Sequence, residues 1–258
     1  IEICVIDNFV TGKKEVVPNL SGLTVANGNI GDLKLVQKTF KSFKPTHVIH
    51  SAASYVDPDD WTTDVETNVK GTINLARVIH DSSIERLINF QTALCYGRPN
   101  QIPIPIDHPI APFTSYGISK AAGESYLLNS ELPVISLRLA NICGPRLSIG
   151  PIPTFYKRLK ENKDCFCSDS IRDFLDMSDF ISLIEKIFEA KQFTGAYNVS
   201  TGKGNSVYDV FIAVANYLKI EKPEVPIVPI GSDDVQSVVL DPSLTEETFR
   251  WKAKVDFL

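Results

Sequence analysis

Along the first part of the chain, short apolar runs rich in β-branched residues alternate with longer stretches whose apolar positions recur every three to four residues. Residues 1–6, 23–26, 46–50, 86–90 and 134–139 read as strands, each followed by polar or small residues. Between them, residues 33–43 place Leu35, Val36, Phe40 and Phe43 on one helical face, and a longer helical region runs from about Asp60 to His80. Pro109 and Pro112 precede a further helix, with Thr114 or Ser115 as its N-cap and an apolar-periodic run over residues 121–128. Strand, crossover helix and strand in alternation predict an α/β, doubly wound parallel sheet covered on both faces. Ligands of such sheets gather at the carboxyl ends of the strands, where Asp7, Ser51, Thr92 and Asn141 fall.

Beyond Pro145 the pattern changes. Helices are expected over residues 154–160, 178–190 and 206–218, with a strand at 195–199 and an extended edge at 226–229, whose prolines disqualify a central strand. These elements predict a dinucleotide-type domain over residues 1–144 and a smaller C-terminal α/β substrate lobe over 145–258, with 174–200 returning to the first domain. The opening strand follows no phosphate loop, and no Gly-x-Gly-x-x-Gly occurs anywhere in the 258 residues. A preceding strand carrying that loop is therefore expected outside the given sequence.

Composition narrows the chemistry. A net charge of −5 argues against a general nucleic-acid binder. No continuous apolar window suits a membrane span, and no basic region followed by an apolar run opens the chain. Five cysteines, scattered and odd in number, make a poor disulfide framework, and the reading is a reducing cytoplasm. Cys165 and Cys167 are too close for the usual zinc spacing and no histidine cluster supports them, so no metal site is expected.

The candidate chemistry is a Tyr-x-x-x-Lys pair. Tyr116 and Lys120, four residues apart, share a helix face. A phenol beside an ammonium can act as a general base if its acidity is raised by about 4 kcal/mol of electrostatic help. One such pair is expected by chance, and Tyr156 with Lys160 is a second. Tyr116 has the strand ends for company; Tyr156 and Lys160 lie in the lobe and read as core and solvated face.

Several motifs occur together in one order: Val5-Ile6-Asp7-Asn8 with Thr11-Gly12, Gln91-Thr92-Ala93-Leu94-Cys95-Tyr96-Gly97, Ser115-Tyr116-Gly117-Ile118-Ser119-Lys120, Arg138-Leu139-Ala140-Asn141 with Gly144-Pro145, and Arg172-Asp173-Phe174. In this set the chain resembles the extended short-chain dehydrogenase/reductases, and among them the NAD-dependent nucleotide-sugar epimerases and dehydratases, including those of bacterial O-antigen lipopolysaccharide synthesis. The resemblance implies a Rossmann-like fold, NAD as cofactor, a nucleotide-diphosphate sugar as substrate, and a homodimer built on the helices near 60–80 and 115–129. It implies Tyr116 as base, Lys120 as holder of the nicotinamide ribose, and Thr92 as the third catalytic residue, touching substrate as well. Asp7, Asn8, Thr11 and Gly12 would lie at the adenosine ribose, Asn29 and Ile30 at the adenine. Ser51, Ala52, Ala53 and Asn68 would line the dinucleotide. Asn141, Arg146 and Arg172 would bind the substrate, Arg172 at its diphosphate, though a salt bridge within the lobe is the alternative for that guanidinium.

Departures from the family pattern sharpen the expectation. Dehydratases carry an acid just after the triad hydroxyl residue, where this chain has Ala93 and Leu94. Neither can protonate a leaving hydroxyl, which favours epimerisation, most simply of a UDP-sugar at C4. The alternatives are a 4-keto-sugar reductase, another nucleotide-sugar dehydratase or dehydrogenase, and a non-catalytic dinucleotide or sugar-nucleotide binding module.

Overall fold

The structure is a computed structural model, and it describes residues 1–190, 193–221, 223–232 and 234–257. The chain divides into two compact units. The first comprises residues 1–91, 113–137 and 192–196; the second comprises residues 92–112, 138–191 and 197–258.

In the first unit, β1 (Ile3–Asp7) pairs in parallel with β2 (Leu23–Asn27), setting Asp7 opposite Asn27. β3 (His47–His50) pairs in parallel with β4 (Arg86–Thr92). The first-unit parts of β5 (Val134–Leu139) and β10 (Gly195–Val199) extend this to a four-stranded sheet in the order β10-β5-β4-β3. Helix α1 (Leu33–Phe43) is capped by Asp32, whose carboxylate accepts from the amides of Lys34 and Leu35. It buries Val36 and Phe40 against Leu75, Val78, Ile79, Leu87 and Leu127. These side chains form an apolar core cluster of the first unit, and burying each removes it from water at ~1.5–3 kcal/mol.

The long helical region is continuous from Trp61 to His80 but not uniform. It consists of α2 (Trp61–Asp64), a π-helical segment (Val65–Gly71) and α3 (Thr72–His80). Periodicity does not reveal a π-turn, which is a local widening and often marks a functional site. Helix α4 (Ser115–Leu128) starts at Thr114, whose hydroxyl accepts from the Gly117 amide at 3.1 Å.

The second unit is a patchwork of short strands. β6 (Asn141–Cys143) pairs with β9 (Phe174–Asp176), β7 (Cys167–Ser168) with β12 (Ile227–Val228), and β8 (Ile171–Arg172) lies between β11 (Asn205–Ser206) and β13 (Ser237–Val238). Strands of two or three residues leave almost no period-2 signal, so apart from the edge at 226–229 they were not legible in the sequence. Helix α5 (Pro151–Lys160) begins three residues earlier than expected, with proline in its first turn after Gly150 at φ 92°. It packs Phe155 edge-on against Phe211 of α7 (Val207–Tyr217), ring centroids 5.4 Å apart. Ser206 caps α7 in a full capping box with Asp209. Helix α6 (Met177–Glu189) is capped by Asp176, whose carboxylate accepts from the Ser178 amide at 2.8 Å. A helix over Ser243–Phe249, α8, completes the unit.

Candidate active site

Lys120 is buried and tied to strand β4. Its side chain is 5% exposed, and Nζ donates to the Phe90 carbonyl of β4 at 2.6 Å. Its own carbonyl accepts from Gln91 Nε2 at 2.9 Å, so strand β4 holds the helix turn from both sides. Burial pushes the ammonium down from 10.5 to about 8, against the opposing pull of Glu124 one turn away. Glu124 is itself buried and accepts from Ser136 Oγ at 2.7 Å. His50, at the end of β3, is buried too, with Nε2 2.8 Å from Thr72 Oγ1. Burial first, and Lys120 second, hold its pKa near 3, so it stays neutral beside the ammonium. The positive charge is thus left to Lys120 alone.

Tyr116 is half-buried and meets Tyr55 edge-on at 6.3 Å between ring centroids. Its carbonyl accepts from Ser119 Oγ at 3.0 Å. Asn68, buried in the π-segment, spends its amide on the framework. Nδ2 donates to the Ser54 carbonyl and to Ser119 Oγ, and Oδ1 accepts from the Ser54 amide at 2.8 Å. It therefore ties the loop after β3 to the helix that carries Tyr116. Ser51, Ala52 and Ala53 lie in that loop, Ser51 exposed and the two alanines half-buried.

At the end of β1, Asp7 Oδ1 accepts from the Phe9 amide at 2.7 Å, and Asn8 Oδ1 from the Val10 amide at 3.2 Å. A Cβ on Gly12 would lie 3.3 Å from Asp7 Oδ2, so glycine is what leaves room beside the carboxylate. Thr11 is exposed. Asn29 is exposed and accepts from the Gly31 amide at 2.8 Å, whereas the Ile30 side chain is buried in the core and its carbonyl accepts from Asn74. An acid at the end of β1, a glycine beside it and small residues after β3 suit a ribose and the dinucleotide that carries it.

In the second unit, Thr92 accepts from the Leu94 amide at 3.2 Å and caps a short turn, Ala93–Tyr96. Ala93 is buried, Leu94 is half-buried, and neither carries an acid. Asn141 presents an exposed side chain while its amide bonds the Asp173 carbonyl. Arg146, at φ 70°, lines a cavity of about 560 Å³ with Tyr156 and Tyr217. Arg172 is 15% exposed, and its Nη2 pairs with Asp234 at 2.6 Å while Nη1 donates to the Ile171 carbonyl. The lobe salt bridge weighed for this guanidinium is present. Burial nonetheless lowers its pKa, with Asp234 opposing.

The Tyr156–Lys160 pair has none of this support. Tyr156 is exposed rather than core, Lys160 is exposed as expected, and its Nζ is 3.5 Å from the Tyr156 hydroxyl. Sequence reasoning passed over His50, Gln91 and the bracing role of Asn68. Buried polar residues at strand ends were the available signal, but burial is visible only in the fold.

The model of the NAD-dependent epimerase/dehydratase family matches residues 1–200. The chain belongs to this family. It is accordingly an enzyme with NAD as cofactor, and the expected family is confirmed. Among solved structures, the Bordetella bronchiseptica enzyme WbmG in complex with NAD and UDP is 60% identical, with a TM-score of 0.96, covering 99% of this chain and 83% of that one. The B. bronchiseptica enzyme WbmH in complex with NAD⁺ is 39% identical, with a TM-score of 0.92, covering 100% and 85%. The putative UDP-arabinose 4-epimerase 4 of Arabidopsis thaliana is 28% identical over 98% of this chain and 67% of its own length. No helix among the described residues is long and apolar enough to cross a membrane.

Proposed function

We propose that the chain is an NAD-dependent nucleotide-sugar epimerase that inverts the 4-hydroxyl of a UDP-sugar, with Tyr116 as base, Lys120 as its electrostatic partner and Thr92 as the hydroxyl that hydrogen-bonds the substrate. The observation that carries the reading is the buried Lys120 ammonium, fixed on the Phe90 carbonyl one helical turn from a half-buried phenol. A cation there stabilises the phenolate and brings the phenol's acidity toward neutrality. The relatives named above support UDP and the 4-position.

In this reading Tyr116 removes the proton from the sugar C4 hydroxyl as hydride leaves C4, which generates a 4-ketone, and returns it when hydride comes back to the opposite face. Bound NAD supplies the acceptor and donor of that hydride. Lys120 orients the nicotinamide ribose, and Asp7, Asn8, Thr11, Gly12, Asn29, Ile30, Ser51, Ala52, Ala53 and Asn68 shape the dinucleotide pocket, Ile30 and Asn68 from the framework behind it. Asn141, Arg146 and Arg172 receive the substrate, with Arg172 exchanging Asp234 for diphosphate oxygens. Residues 1–144, with 174–200 returning, serve as the cofactor domain, and the remainder of 145–258 as the substrate lobe. With Ala93 and Leu94 after Thr92, there is no acid to expel a hydroxyl, and dehydration is disfavoured.

We also read the protein as a cytoplasmic homodimer serving lipopolysaccharide assembly. Trp61, Val65, Ile118 and Tyr126 are exposed on the helices that would form the interface. The deciding experiment incubates protein with verified bound NAD and UDP-hexoses or UDP-pentoses. Interconversion of C4 epimers without net NADH oxidation is expected. Stoichiometric NADH consumption would make it a reductase, and no interconversion would overturn the epimerase reading. A monomer in sedimentation at micromolar concentration would refute the dimer.

A further inference from the structure

One buried charged side chain close to Tyr116 in the chain's packing has no part in the chemistry above. Asp64, in the first turn of α2, is 1% exposed. Its Oδ2 accepts from Ser115 Oγ at 2.7 Å, and Ser115 opens α4 immediately before Tyr116. Its Oδ1 is buried with no hydrogen-bond partner, the one such side-chain atom among the described residues. A buried carboxylate oxygen left unpaired is costly, so an apolar residue would serve packing better.

Capping does not account for it. Asp60 caps α2 through the Thr63 amide, and Thr114 caps α4 through the Gly117 amide. The first turns of both helices only make the anion tolerable there. What the carboxylate adds is a hold on Ser115. One turn further along, Asn68 Nδ2 donates to Ser119 Oγ at 3.0 Å, and Ser119 donates to the Tyr116 carbonyl. A further turn on, the helices come so close that a Cβ on Gly123 would sit 2.6 Å from the Asn68 carbonyl and 3.2 Å from Thr72 Oγ1. Residues 64 and 68 therefore face 115 and 119 as two polar rungs, with Tyr116 between them.

We propose that Asp64 is a positioning residue: with Ser115 it forms the outer rung of a two-rung ladder that sets the rotation of α4, and with it the placement of the Tyr116 phenol. The inference rests on the functional reading above for its kinetic consequence, but the placement itself is measurable without turnover. A small misplacement of a catalytic group is felt mainly in kcat. Asp64→Ala and Ser115→Ala are each expected to lower kcat about tenfold with KM for the UDP-sugar within about twofold. The double variant should be no worse than the poorer single, because both remove one bond. Asp64→Asn should recover kcat to within about twofold, since its amide oxygen can accept the same bond.

The non-kinetic readout is the ¹³Cζ-tyrosine NMR signal that Tyr116→Phe deletes. That signal is expected to broaden or shift in D64A and S115A and to return in D64N. If D64A does not fold, S115A alone carries both readouts. An unchanged Tyr116 signal, unchanged kcat, or additive losses would each overturn the ladder. Wild-type protein with no epimerase turnover would defeat the functional reading instead, leaving the NMR arm to judge Asp64.

Discussion

Two Tyr-x-x-x-Lys pairs of identical spacing sit on α4 and α5, and their surroundings separate them. Lys120 is 5% exposed, bonded to a strand carbonyl at 2.6 Å and shifted down to about 8 by burial. Lys160 is exposed, 5.3 Å from the Tyr156 ring centroid and 3.5 Å from its hydroxyl, where water screens the charge. In the function proposed above, the same two residue types therefore make a proton-transfer device in one place and a solvated contact in the other. Spacing supplies proximity; only burial at a strand end supplies the field that makes proximity chemical.

The largest test of that contrast is the phenol. Tyr116→Phe is expected to lower kcat by about 10²–10⁴, with UDP and NAD affinity within about twofold, whereas Tyr156→Phe should leave kcat within about twofold. Steady-state kinetics with binding calorimetry reads both. Retained turnover in Y116F would break the contrast outright.

Next comes the ammonium. Lys120→Met should cost about 10²-fold or more in kcat while raising the melting temperature, because a methionine of similar shape removes a buried cation. Lys160→Met should do neither. A K120M protein that is both inactive and less stable would point to a structural role.

The pH dependence follows from the shift of Lys120 and is smaller. Below about 8 the ammonium is charged and supports the phenolate; above it the charge is lost, so kcat should fall as pH rises through about 8. The sign for stability is opposite. Between about 8 and 10.5 the unfolded chain holds the lysine proton more tightly than the folded one. This group's penalty on folding is therefore fully present below 8 and is relieved as pH rises across that interval. A kcat profile flat from pH 7 to 9.5, with NAD bound, would remove Lys120 from the mechanism.

The smallest effect belongs to the surface pair. Lys160→Ala should change unfolding free energy by less than about 0.5 kcal/mol in urea titration, as exposed contacts do.

Legibility followed element length and burial. Helix α1, β5 and β10 appear with the expected boundaries, because each has enough residues to show its period. The two- and three-residue strands β6 to β9 did not, since a pair of residues has no period. The π-segment at Val65–Gly71 was hidden inside a correct helical expectation. Arg172 was placed as a substrate cation with a salt bridge as its rival, and the ion pair with Asp234 is what the fold shows. Sequence alone could not rank His50, which reads as one histidine among four until the fold buries it beside Lys120.

By itself the sequence determined the order of strands and helices, the family, and the presence of Tyr116, Lys120 and Thr92 in their motifs, because those depend on local pattern and residue type. Tertiary structure decided how deeply each Tyr–Lys pair is buried, what Asn68 and Asp64 hold, and which charges survive burial. Those outcomes depend on who is packed against whom. Desolvation and hydrogen bonding act between residues far apart in the chain, such as Phe90 with Lys120 at 30 positions or Asp64 with Ser115 at 51, and no short window along the chain contains both partners.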